Sequence, residues 1–229
     1  MKRSELNAIM KKTVEFCDKM NFKLPPFAYF SPADWETKGH EYDEIRDNML
    51  GWDITDFGSG DYYKVGLLMF TIRNGNFNDK EKYIKPYAEK LLIVEEEQIT
   101  PYHFHFSKME DIINRGGGNL IVKAYNQDEN KGLDMVNPVK IMQDGRTYYV
   151  QPGEEIKLTP GESISIPNGQ YHMFWGEKGT GTVLVGEVSK VNDDRVDNNF
   201  LEPTGRFPEI EEDEPALYLL GNEYPVAKD

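Results

Sequence analysis

A chain of 229 residues with 26 basic against 40 acidic side chains carries a formal charge of −14, which excludes nucleic acid as its main partner, because such binding needs clustered Lys and Arg to displace counterions. The same sign argues against docking on an anionic membrane surface, and no apolar run approaches the ~18 residues that a bilayer-spanning helix needs. The one cysteine, Cys17, allows no intramolecular disulfide, and the charged start Met1-Lys2-Arg3-Ser4-Glu5 does not resemble a signal peptide, so a soluble cytoplasmic protein is expected.

The N-terminal stretch reads as a helix. Ser4 suits its cap, and Leu6, Ile9, Met10, Val14, Cys17 and Met20 recur at helical spacing on one face. Cys17 in that stripe reads as a buried, inert thiol. Pro25-Pro26 ends the unit. A second helix is expected from Ser31, with Pro32 in its first position and Phe30 and Trp35 packed across the cap. It should carry Trp35, Ile45 and Met49 and end near Gly51. His40, in a charged stretch, reads as a surface residue.

From about residue 62 the pattern changes to strands. Tyr62 to Ile72 is rich in aromatic and branched types, and Asn74-Gly75 marks a turn. Strands are expected at 89–95 and then at about 103–106, 110–114, 119–125, 138–143, 146–151, 163–167, 171–175 and 181–188. Asp144-Gly145, between two of them, is a hairpin signal. Many short strands separated by turns indicate a sandwich or barrel. The last segment returns to loops, and its acidic run Glu209 to Glu214 reads as solvated. The chain is thus taken as one domain over 1–229, with helical decoration at 1–60, a β-barrel at 61–191 and a loop-rich segment at 192–229.

Three of the four histidines form a pattern. On a strand, His103 and His105 project to one side while Phe104 projects to the other. Glu110 follows after a stretch short enough to be a turn, and His172 comes much later, after Pro167-Asn168-Gly169-Gln170-Tyr171. Any one of these histidines alone is more ordinary as a packed or surface residue. Together, three imidazoles and a carboxylate are ligand types for a divalent first-row metal.

His103-Phe104-His105, four residues, Glu110, six residues and Gly117 resemble the first cupin motif. Gly161, five residues, Pro167-Asn168-Gly169, two residues and His172 resemble the second, which departs only where Gly176 stands in place of Asn. The resemblance implies an all-β core, a double-stranded β-helix (jelly-roll) barrel with N-terminal helices, holding a metal on His103, His105, Glu110 and His172. The blocks Pro101–Glu110 and Asn192–Glu214 are further similar to the D-lyxose ketol-isomerase family of cupins, over most of the chain. That similarity implies a homodimeric aldose–ketose isomerase using Mn(II) on a small sugar, interconverting D-lyxose with D-xylulose and D-mannose with D-fructose.

Such a reaction moves a proton between C2 and C1. A metal bound through O1 and O2 would polarise the carbonyl and hold a cis-enediol, while a carboxylate carries the proton. Glu202, before Pro203, is the preferred base, and Glu187 on the strand Val183–Val188 is the second choice. Lys90 interrupts the apolar run Leu91–Val94 and could hold a sugar oxygen or stabilise enediolate charge. Lys108, inside the metal loop, and Arg206 are candidates for binding substrate. Trp52 and Trp175 could stack on a sugar face, though core packing suits them better. Two other readings stay open: an Fe(II) cupin dioxygenase and a non-catalytic sugar-binding cupin.

Overall fold

The apolar stripe at the N-terminus forms α1 (Arg3–Lys19) in this computed structural model, which describes residues 1–205 and 207–228. The cap differs from expectation. Lys2 occupies the N-cap with no side-chain bond. Ser4 lies in the first turn, where its backbone N–H and hydroxyl donate to Asp213 at 2.9 and 2.6 Å. A carboxylate from the far end of the chain thus meets the helix N-terminus, where the backbone dipole favours negative charge. Burial pushes the Cys17 thiol up to about 11, with Asp18 adding to the shift, so it stays protonated in the stripe.

Ser31 and Asp34 form a reciprocal capping box on α2 (Pro32–Trp35), with Phe30 and Trp35 ring centroids 5.6 Å apart. The long second helix does not form. A 3-10 turn at His40–Tyr42 leads into α3 (Asp43–Asp47), which ends where Met49 takes a positive φ of 51°. The chain then enters β1 (Gly51–Thr55), inside the stretch expected to be helical. Its side chains alternate between two faces: Trp52 and Ile54 join the layer beneath α1, while Asp53 and Thr55 line an interior cavity.

Twelve further strands follow: β2 (Leu67–Arg73), β3 (Tyr87–Val94), β4 (Thr100–His105), β5 (Glu110–Gly117), β6 (Leu120–Tyr125), β7 (Val139–Gln143), β8 (Arg146–Val150), β9 (Glu155–Leu158), β10 (Ser163–Ile166), β11 (Tyr171–Gly176), β12 (Val183–Lys190) and β13 (Asn198–Phe200). Residues 62–66 are turn and bridge rather than strand, and Asn74-Gly75 opens a long loop rather than a tight turn. The Asp144-Gly145 hairpin forms as expected: Gln143 pairs with Arg146, and the two turn residues take φ of 51° and 80°.

The strands make an eight-stranded sheet, β1-β2-β3-β12-β5-β10-β7-β8, and a five-stranded sheet, β13-β4-β11-β6-β9, antiparallel throughout. This is the jelly-roll barrel expected of a cupin. Alternation along β3 decides the layers: Leu91 and Ile93 pack against α1, while Leu92 and Val94 pack inside with Met69, Ile112 and Phe174. Lys90, in phase with Leu92, is therefore carried inside as well. Among the described residues no helix is long and apolar enough to cross a membrane.

The acidic run is more than a solvated segment. The guanidinium of Arg3, a residue only 2% exposed, sits between Glu212, at 2.7 Å, and Glu223. Asn7 donates to Glu214 at 2.6 Å. The C-terminal segment therefore clasps the first helix.

Candidate metal centre

Strand pairing brings the three histidines together. His103 on β4 stands opposite His172 on β11, with ring centroids 4.1 Å apart, and alternation puts His105 on the same side as His103. β5 starts at Glu110, which returns the carboxylate to the rings. The motif glycines permit the geometry. Gly169, at φ 80°, donates its N–H to the His105 carbonyl at 2.9 Å, tying the turn before β11 to the histidine strand. At Gly117 (φ 88°) a Cβ would collide with the Thr182 carbonyl oxygen.

The hydrogen-bond partners fix which ring nitrogens are free. The Nδ1 of His103 faces the Pro101 carbonyl at 2.8 Å, that of His172 faces the Gln170 carbonyl at 3.1 Å, and that of His105 faces Asn198 Oδ1 at 2.8 Å. Oxygen acceptors require each Nδ1 to carry the proton. Each Nε2 then presents a lone pair. Burial, with His172 and His105 beside it, holds His103 well below the ordinary histidine value, and burial with Lys108 lowers His105, so both are neutral near pH 7.

Glu110 meets those lone pairs. Its Oε1 lies 3.2 Å from His105 Nε2 and 3.0 Å from His172 Nε2, and the latter nitrogen is buried with no hydrogen-bond partner. Acceptors turned toward one another in a buried site need a cation between them. One ring nitrogen from each of His103, His105 and His172 lies within 4.8 Å of the others, close enough to share an ion. Three nitrogens and one carboxylate oxygen, each imidazole braced through its other nitrogen, fit a divalent metal.

Beyond the three imidazoles, Glu110 begins a ladder of alternating charge. Lys108 Nζ lies 2.7 Å from Glu110 Oε2 and 2.9 Å from Glu187 Oε1. Lys90 Nζ lies 3.2 Å from Glu187 Oε1 and 2.7 Å from Asp194 Oδ2. Burial works against the charge on Lys108, but Glu110, Glu187 and Asp194 outweigh it and hold its pKa above the usual lysine range. Likewise, burial opposes the Glu110 carboxylate, yet the ammonium of Lys108 keeps its pKa well below the usual range. Both lysines approach Glu187 at Oε1, and no hydrogen bond or ion pair among the described residues engages its Oε2. A cavity of about 50 Å³ lies among His103, His105, Glu110, Lys108, Glu187 and Lys90.

Of the two candidate bases, the structure brings Glu187 to this cavity, 4% exposed, and leaves Glu202 out. After β13 the Leu201 N–H bonds the Tyr102 carbonyl, and the next residue, Glu202, stands exposed on the surface. Arg206 lies outside the described residues. Trp52 is a core residue whose Nε1 donates to the Ala28 carbonyl at 2.8 Å, and Trp175 lies under the ammonium of Lys123. His40 is on the surface, facing Asp43 at 2.8 Å. Sequence reasoning missed Asn198, Asp194, Asp53 and Thr100, all in the cavity wall. Asn198 and Asp194 do lie in the block that carries the family resemblance, the one signal that could have marked them.

Residues 1–224 match the model of the D-lyxose isomerase family. A D-lyxose/D-mannose isomerase from Serratia proteamaculans is 49% identical over 225 residues, 98% of this chain and 98% of that protein. One from Escherichia coli O157:H7 is 48% identical over the same shares. Among solved structures, the L-ribose isomerase of Geodermatophilus obscurus superposes with a TM-score of 0.60 at 13% identity, covering 92% of this chain and 98% of that one, a likeness of fold.

Proposed function

Because this chain belongs to the D-lyxose isomerase family and is an isomerase, we propose that it interconverts D-lyxose with D-xylulose and D-mannose with D-fructose. The dioxygenase and non-catalytic alternatives fall away with that membership. The observation that carries the proposal is the convergence, in one buried cavity, of three imidazole nitrogens, the Glu110 carboxylate and a second carboxylate, Glu187, gripped by two lysines.

His103, His105, His172 and Glu110 would hold the metal, and a nitrogen–oxygen donor set without thiolate admits Mn(II), the ion implied by the sequence resemblance. A divalent cation there supplies Lewis acidity, which draws electrons from the C1 carbonyl and makes the C2 hydrogen acidic. Glu187 takes that proton at Oε2 and returns it at C1. Lys90 and Lys108 hold Oε1 and so aim the other oxygen at the sugar. Their ammonium groups also face the place where negative charge develops on the sugar oxygens. Met69, Leu92, Ile112 and Phe174 wall the cavity and keep water from the carbon that holds the transient charge.

The test is to add Mn(II) to metal-free protein and follow D-lyxose and D-mannose by NMR. D-Xylulose and D-fructose should appear only when the ion is present. No ketose from either sugar with Mn(II) or any other divalent first-row ion would refute the activity. A homodimer and a cytoplasmic location belong to the same proposal, and light scattering reads the first as a particle of twice the chain's mass.

A further inference from the structure

The loop from His105 to Glu110 carries Lys108 into the site, and it is held from outside the cavity wall. Asp197, 6% exposed, lies in the turn after β12. Its Oδ1 accepts from the Ser107 N–H at 2.8 Å and the Ser107 hydroxyl at 2.7 Å, and its Oδ2 accepts from the Lys108 N–H at 3.2 Å. Its backbone carbonyl takes the Phe106 N–H at 3.0 Å. A buried carboxylate is costly unless its oxygens are engaged. Among the described residues, every side-chain bond of Asp197 goes to this one loop.

The neighbours of Asp197 reach other parts of the same site. Asp194 meets the Lys90 ammonium at 2.7 Å, and Asn198 braces His105 at 2.8 Å. The turn is closed by the Asp197 N–H on the Asp193 carbonyl at 3.0 Å, and Arg195 donates to both oxygens of Asp193, at 2.8 and 2.7 Å. One short turn therefore holds Lys90, the backbone of Lys108 and a metal-site imidazole. A lysine stem is flexible, so its ammonium keeps a place only where its backbone end is fixed as well. The Lys108 ammonium, anchored in this way, lies 2.7 Å from Glu110 and 2.9 Å from Glu187.

We propose that Asp197 is a positioning residue for the isomerisation. By holding the Lys108 backbone it sets the Lys108 ammonium on Glu187 Oε1, and so sets the aim of Glu187 Oε2 at the sugar. Asp197 acts through Lys108 and lies outside the wall of the cavity. The inference rests on the isomerase activity, and on the role of Glu187, proposed above.

The experiment compares wild type with Asp197→Asn, matched for bound Mn(II), on D-lyxose and on D-lyxose deuterated at C2. Asparagine keeps the shape and one acceptor oxygen. That oxygen stays with the two donors of Ser107, which leaves an amide nitrogen against the Lys108 N–H. A misplaced base should lower kcat by about 10–100-fold, while KM stays within about threefold. The deuterium effect on kcat/KM should rise, because proton transfer slows relative to binding and release. Mn(II) affinity should hold, since Asn198 keeps its bond to His105. A loss of folded molecules lowers turnover without altering an isotope effect, so a fall in kcat with the wild-type isotope effect overturns the proposal, as does an unaltered kcat. Hydrogen exchange on the wild type is independent of how the variant folds: the Ser107 and Lys108 amides should be protected by about 100-fold or more, and exchange of either at its intrinsic rate overturns the proposal. Failure of the underlying reading is distinguishable, because the wild type would then convert no sugar, or Glu187→Gln would still turn over.

Discussion

Asn198 shows how one uncharged side chain can govern a metal site. Its Oδ1 accepts from His105 Nδ1 at 2.8 Å, which fixes the ring and turns Nε2 toward Glu110. Removing such a brace costs about 10–100-fold in metal affinity. Asn198→Ala should weaken Mn(II) binding by that factor in a competition titration, and unaltered affinity would show that the ring is oriented by packing alone. This residue was hidden in the sequence because its role depends on β13 pairing with β4, with a separation of 93 positions between donor and acceptor. The gathering of His103, His105, His172 and Glu110 was legible, since the spacing of the two motifs carries it. Glu202 was preferred for its place in a family-like block, which says nothing of burial, and it stands exposed. Strand alternation, which marks Glu187 as inward with Val183 and Val185, was the better physical signal.

The elements that support the site divide into those that pattern reveals and those it conceals. α1 was legible because its stripe is long and regular. It packs on the outer face of the eight-stranded sheet, where Leu6 and Met10 are fully buried against that layer. Leu6→Ala should cost about 2–5 kcal/mol of stability, as buried leucines do when truncated, read by urea denaturation, while Mn(II) affinity stays within about twofold. A comparable loss of metal affinity would mean that the outer layer, and not only the barrel, sets the ligand geometry. β1, β9 and β13 escaped notice for physical reasons. β1 starts directly after a short helix, β9 has four residues, and β13 has three and draws its stability from pairing with β4. Short strands have too few alternations to read.

At the scale of the whole molecule, the chain's two ends close on each other. Arg3 lies between Glu212 and Glu223, and Asp213 meets the start of α1. The hydrogen bond from Arg3 lowers Glu212 from its ordinary 4.5, and the bonds from Ser4 lower Asp213 from 3.8. Because both values are lower when folded, the clasp is at full strength above those ordinary values and is lost as pH falls through the lowered ones. Hydrogen exchange, corrected for intrinsic rates, should show the first turn of α1 losing protection below about pH 4, ahead of the barrel strands. Simultaneous loss in both would contradict a separable clasp. Strand pairing, independent of the clasp, brings β4, β5, β11 and β12 around one cavity, and the central claim is that Glu187 there carries a proton between C2 and C1. Deuterium at C1 of D-xylulose formed from D-lyxose in heavy water tests this most directly, on wild type and on Glu187→Gln matched for bound Mn(II). Wild type should incorporate the label and Glu187→Gln should neither exchange nor turn over; label incorporated equally by both, or ketose from wild type without label, would contradict it.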